Sequence, residues 1–194
     1  MQGDILALAK LGKQFDIIES SGVLHHMDDP MSGWKILTDI LKPGGLMKIG
    51  LYSELSRQDI TRIRSESAEE SSSFDRFKIR DFRDNLIKSD KEHHKQILQS
   101  PDFYSMSSIR DLLFHVKEHR FTLSKINNYL AELNLKFCGF EADGILESFK
   151  QQNKNPDDLH RLKSWATFEE RNPNAFSGMY QFWCQKLNKN FNFY

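Results

Sequence analysis

Residues 15–52, FDIIESSGVLHHMDDPMSGWKILTDILKPGGLMKIGLY, constrain the fold more than any other stretch, because two apolar runs flank a segment whose ends are both marked. The first run, FDIIE over 15–19, is short and bounded and predicts a buried strand. A helix follows: Asp29 suits the N-cap, Pro30 suits the first helical position, and Trp34, Leu37, Ile40 and Leu41 recur at helical spacing. Pro43, Gly44 and Gly45 are expected to stop it. LMKIGLY, 46–52, predicts a second strand. Strand, helix and strand joined this tightly form a βαβ unit with parallel strands. Ligands of such sheets bind beyond the carboxyl ends of the strands. ESSGVLHH and YSELS lie at those ends.

From 53 to about 98 the pattern is helical and charged, with SESAEESSS at 65–73 read as a loop. Phe74, Phe77, Phe82 and Leu86 are expected to mark one face of a helix. SSIRDLLFHV (107–116) and TLSKINNYLAELN (122–134) predict further helices. LKFCGFE (135–141) predicts a strand, NPDDLHRLKSWATFEER a helix opened by Asn155 and Pro156, and GMYQFWCQKL (178–187) the last strand. The expected class is α/β, in the doubly wound arrangement. Its organisation reads as a partial βαβ core over 1–52, a mainly helical insert over 53–134, and strands and a helix over 135–194 that complete the same domain.

A chain of 194 residues is long enough for a sizeable core. Its 27 basic and 27 acidic residues balance, which disfavours nucleic acid and anionic membrane as partners. No stretch approaches the ~18 uncharged apolar residues of a membrane span. The N-terminal stretch carries acids at Asp4 and Asp16 and no small-residue cleavage site, so it does not read as a signal peptide, and the expected location is cytoplasmic. Cys138 and Cys184 are accordingly expected as reduced thiols.

These residues resemble the class I S-adenosylmethionine-dependent methyltransferases. FDIIESSGVLHHMDDP with ILTDILKPGGLMKIGLYS looks like the middle of such an enzyme: an acidic strand, a cofactor loop, a helix, LKPGG and the next strand. GDIL, 3–6, resembles the loop before it, and FSGMYQFWCQK, 176–186, the family's final strand. The nearest variety is the bacterial methyltransferase domain fused to tetratricopeptide repeats. Two parts of the family pattern are absent. The ten glycines are scattered and none forms G-x-G-x-G, and there is no acid from a second strand to bind the ribose. The resemblance therefore implies the C-terminal part of a Rossmann-like methyltransferase sheet, strands four to seven with the last antiparallel, the N-terminal strands and glycine loop lying upstream of Met1. As such a fragment the chain alone is expected to be inactive. Its FDIIE strand would be a bare apolar edge, lowering solubility or recruiting a chain or upstream segment that supplies the missing strands.

By the same resemblance the cofactor is S-adenosylmethionine. Asp4 would accept from the adenine amino group and Ile5 would offer its backbone N–H; Glu19, Ser20 and Ser21 would hold the amino-acid end; Gly22 would let the chain turn close to the ligand. His25 and His26 are the candidate catalytic residues, since a histidine titrates near the pH at which it can take a proton from an oxygen or nitrogen nucleophile. Contact with cofactor or substrate, and a loop-capping or packing role, stay open for both. Tyr52, at the next strand end, is the candidate substrate contact. The acceptor would be a small molecule or a protein. The alternative is a non-catalytic interaction module derived from a methyltransferase half-domain, against which the retention of GDIL and ESSGVLHH argues. HVKEH (115–119) has the H-x-x-E-H spacing of a zinc peptidase but reads better as a charged helix end. Asp29 in HHMDD is better used as a cap than as a metal ligand, KEHHK (91–95) reads as a solvated face, and no metal is expected. FDRFKIRDFRDNLIK, 74–88, reads as an amphipathic helix rather than a nucleic-acid surface, because Asp75, Asp81 and Asp84 dilute its charge.

Overall fold

The computed structural model describes residues 3–67, 76–114, 118–141 and 143–188. The chain forms two compact units: Met1–Ser56 with Lys117–Tyr194, and Arg57–Val116. The first begins with a 3-10 turn (Ile5–Leu11), β1 (Phe15–Ser21), a short 3-10 turn (Leu24–His26), α1 (Pro30–Ile40) and β2 (Leu41–Leu51). The second holds α2 (Gln58–Ser67), α3 (Arg76–Lys88), α4 (Glu92–Ile97) and α5 (Met106–Phe114). The chain then returns to the first with α6 (Leu123–Glu132), β3 (Leu135–Phe140), α7 (Asp143–Gln152), a 3-10 turn (Pro156–His160), α8 (Leu162–Arg171) and β4 (Tyr180–Lys186).

The sheet runs β1-β2-β4-β3. β1 and β2 are parallel, as a helical crossover requires, and β4 is antiparallel to both neighbours, as expected of the last strand. α1 starts where the sequence marks it: Asp29 accepts the Met31 N–H at 3.0 Å and Pro30 opens the helix. Its end differs from expectation. The helix stops at Ile40 and Leu41 already pairs with Phe15, so LKPGG is the irregular start of β2 rather than a separate stop. The register then jumps to Ile17 opposite Leu46, and the extra residues are absorbed at Gly44, with φ of 77°, and Gly45. A Cβ on Gly45 would stand 2.9 Å from the carbonyl oxygens of Asp16 and Lys42, so only glycine passes there.

One row of sheet residues is buried: Met47, Ile49 and Leu51 on β2, Tyr180, Phe182 and Cys184 on β4, and Leu135 and Phe137 on β3. It shares one apolar core with Trp34 and Leu37 of α1, Ile126 and Leu130 of α6, and Trp165 and Phe168 of α8. Phe149 of α7 stacks on Trp165 at 3.7 Å between ring centroids. Phe15, Ile17, Glu19 and Leu46, on the alternate positions, are exposed. The described strands bury one of their two rows. The open row is polar at its centre, where Lys48 bonds Glu141 at 3.0 Å and lies 3.5 Å from Glu19. The single helix expected over 155–171 is a 3-10 turn capped by Asn155 followed by α8, broken at Arg161.

The second unit has its own core of Ile63, Ile79, Leu86, Ile97, Phe103, Ile109, Leu112 and Leu113. Its extent, 57–116, is narrower than the insert expected over 53–134, because α6 buries Leu123, Ile126 and Leu130 in the core of the sheet unit. The buried stripe of α3 is Ile79, Phe82 and Leu86 at helical spacing, whereas Phe77 is 74% exposed. Phe74 and Asp75 lie outside the described residues. Cys138 and Cys184 are free thiols. Among the described residues no helix is long and apolar enough to cross a membrane.

Candidate functional site

The carboxyl end of β1 and the start of the chain converge on one groove of about 690 Å³ along the unpaired edge of the strand. Ile5, Glu19, Ser20 and Ser21 line it, with Leu37 and Ile40 of α1 as apolar wall. Ser20 is buried, and its Oγ has no hydrogen-bond partner among the described residues. A buried hydroxyl left unpaired is costly, so it marks a place where a polar ligand group would be welcome. Asp4 caps the Ile5–Leu11 turn, its Oδ1 accepting the Leu6 N–H at 2.9 Å. The Ile5 N–H, first in that turn, has no acceptor within it. Gly22 follows β1 with φ of 74° and donates its N–H to the Gly50 carbonyl at 3.4 Å, turning the chain where a side chain would be strained.

His25, His26 and Tyr52 form a second group. His25 is fully buried and stacks on Tyr52, with ring centroids 3.9 Å apart. Its Nε2 lies 3.1 Å from Nε2 of the half-buried His26, and its carbonyl accepts the His119 N–H at 2.8 Å. In that contact one ring donates and the other accepts, as their tautomers set. His25 and His26 follow the end of β1 and Tyr52 the end of β2. None of the three lines the groove along β1.

A buried polar network holds the end of β2 in place, and the sequence reading missed it. Ser53 donates to Glu169 Oε1 at 2.6 Å, and Tyr180 donates to the same carboxylate at 2.7 Å. All three residues are buried. Burial pushes the Glu169 carboxyl above its ordinary range, against the opposing pull of the two hydroxyls. Burial also raises the Tyr180 hydroxyl, with Glu169 adding to the effect. Phe121 pairs alongside, its N–H donating to the Tyr52 carbonyl at 2.9 Å. Glu169 follows Leu162 and Trp165 at helical spacing, so an acid on the apolar face of α8 was the available signal.

The rival motifs resolve as follows. Asp29 caps α1, as expected. His115 of HVKEH lies outside the described residues. KEHHK is not a solvated face throughout, because His93 and His94 are buried and Ile97, next along the same side of α4, is in the core of its unit.

Comparison with known proteins bears on the sequence of residues 1–49 and on the fold. Residues 1–49 match the family described as methyltransferase domain. Over 61 residues the chain is 39% identical to an uncharacterised protein of Synechococcus sp., a match covering 31% of this chain and 15% of that protein. Over 40 residues it is 48% identical to a ubiquinone biosynthesis O-methyltransferase of Ruegeria pomeroyi, covering 21% of this chain and 16% of that enzyme. Its fold superposes on PKMT2 from Rickettsia typhi, solved in complex with AdoHcy, with a TM-score of 0.64 at 13% identity, over 98% of this chain and 38% of that one. A second structure of PKMT2 gives the same TM-score at 14% identity. The matches thus span about a sixth of the curated relatives and under two fifths of the solved neighbour. The resemblance to class I methyltransferases is shown in the sequence of residues 1–49 and in the α/β fold of the chain.

Proposed function

We propose that this chain takes part in S-adenosylmethionine-dependent methyl transfer, contributing one wall of the cofactor site and the candidate base. The carrying observation is the groove along β1, where Ile5, Glu19, Ser20 and Ser21 meet and the Ser20 hydroxyl is buried without a partner among the described residues. These residues suit a polar, elongated ligand lying across the strand end. Asp4 and Ile5 would hold the adenine, and the backbone of Glu19–Gly22 the amino-acid end. When bound, S-adenosylmethionine supplies an electrophilic methyl group; the protein's task is chiefly to position the acceptor in line with it.

His26 is the residue we assign to the acceptor's proton. The buried His25, stacked on Tyr52, fixes the ring of its neighbour and shares the positive charge that forms. Tyr52 would border the acceptor. The acceptor is a small molecule or a protein.

The groove lies open along a strand edge that carries Phe15 and the 61% exposed Ile17. We therefore propose that a further strand, from upstream in the same polypeptide or from another chain, completes it, and that the chain alone is inactive. The open edge also favours a second reading, a non-catalytic interaction module. Calorimetric titration with AdoHcy separates the two. Binding is expected when a further strand is supplied along β1, and weak binding or none by the chain alone. No binding by either form would refute the enzyme reading; strong binding and turnover by the chain alone would refute the need for a further strand.

A further inference from the structure

Within the helical unit, α2 and α4 bring three ligating groups together. Nε2 of His93 lies 2.8 Å from Glu66 Oε1, and Nε2 of His94 lies 2.8 Å from Glu66 Oε2. The three donor atoms all fall within 4.8 Å of one another, the one such group among the described residues. The sequence hides this, because Glu66 is remote from the histidines and KEHHK looks like an ordinary charged surface.

We propose that Glu66, His93 and His94 bind a divalent transition-metal ion of the zinc class. Two imidazoles and a carboxylate are borderline donors that zinc accepts at about 2.0–2.2 Å, and three protein ligands leave one position of a tetrahedron open. Ligands of such an ion stand about 3.3 Å apart, so the present 2.8 Å spacings need to open by only a few tenths of an ångström. Both histidines are buried, and Nδ1 of His94 has no partner among the described residues, so that ring offers its polar chemistry through Nε2 alone. The open position faces a groove of about 560 Å³ with Ser65, Asn85 and Ser89 on its walls, where water or a ligand oxygen can complete the shell. Lys91 is the one opposing charge: its Nζ bonds Glu66 Oε2 at 3.0 Å. That side chain is 57% exposed and can swing into solvent when the ion enters. The bound ion ties the last turn of α2 to α4 and replaces two hydrogen bonds by three coordinate bonds.

The test uses the whole chain, stripped with a chelator and dialysed. Zn²⁺ is titrated calorimetrically, and Co²⁺ is followed by visible absorption. One equivalent per chain is expected, with a tetrahedral Co²⁺ spectrum. Glu66→Gln keeps the shape and hydrogen-bonding reach of the side chain and is expected to weaken Zn²⁺ binding at least tenfold; so is the His93→Asn/His94→Asn pair. His160→Asn, a histidine of the other unit, is expected to bind as the parent does. Absence of stoichiometric binding overturns the proposal, as does binding within threefold of the parent in Glu66→Gln, or equal loss in His160→Asn. Should the double variant fail to fold by circular dichroism, Glu66→Gln decides alone.

Discussion

Replacing Glu169 by alanine removes the one acceptor shared by two buried hydroxyls, Ser53 at 2.6 Å and Tyr180 at 2.7 Å. Each stranded hydroxyl costs ~1–2 kcal/mol, so the pair costs ~2–4 kcal/mol, partly offset by no longer burying a carboxyl group. For a protein of this size that corresponds to a fall of roughly 5–15 °C in Tm. Glu169→Gln is the control, because an amide still accepts from Ser53 and cannot ionise; a loss under ~1 kcal/mol is expected. The two also differ in pH dependence. Burial raises the folded-state pKa of Glu169 above its ordinary 4.5, so the folded protein holds this proton longer than the unfolded chain. The resulting stability is fully present below that ordinary value and is lost as pH rises through the folded pKa. The wild type should therefore lose stability on this limb, and Glu169→Gln should be flatter across it. Trp34, Trp165 and Trp183 all lie outside 57–116, so tryptophan fluorescence during urea unfolding reports the sheet unit alone. A loss below ~0.5 kcal/mol for Glu169→Ala, or identical pH profiles for wild type and Glu169→Gln, would refute the reasoning.

Gly45→Ala should cost ~1–3 kcal/mol by the same unfolding assay, since its Cβ meets backbone oxygens that have no room to move; a neutral result would mean that the start of β2 is looser than it looks. Ile17→Lys places a charge on the open edge of β1 and should reduce self-association in sedimentation velocity, with unchanged circular dichroism. In a methyl-transfer assay on the completed enzyme, His26→Ala should lower kcat by ~10²–10⁴ with AdoHcy affinity preserved, whereas loss of affinity alone would make His26 a ligand contact.

The βαβ segment was legible because its signals are local: the Asp29–Pro30 start, the 3.6-residue stripe of α1 and the two apolar runs each report on neighbours in sequence. The last two strands were legible for the same reason. What escaped depends on partners far away in sequence. Helix and strand meet at Leu41 without a loop because Gly44 and Gly45 take up a register jump that only the pairing with β1 reveals. Glu169 reads as a stray charge until β2 and β4 bring Ser53 and Tyr180 to it. His93 and His94 look solvated until Glu66 of another helix is placed against them. At the candidate site the residue types were readable from the loop ESSGVLHH, but the stacking of His25 on Tyr52 depends on a residue that follows another strand.

The two outer strands of the sheet are guarded differently. β3 is short and its pairing slips between Phe137 and Gly139, which spoils it as a template for another strand. β1 pairs regularly from Ile17 to Ser21, its register jump lying before Ile17 and taken up by extra residues of β2. Growth of the sheet is thereby made one-sided, and the direction of any added strand discloses its origin. A second copy related by a two-fold axis can lie only antiparallel to β1, fusing two sheets into one of double width. A segment joined through a helical crossover must lie parallel to it. The polarity of one backbone ladder thus separates a homodimer from a completed single domain.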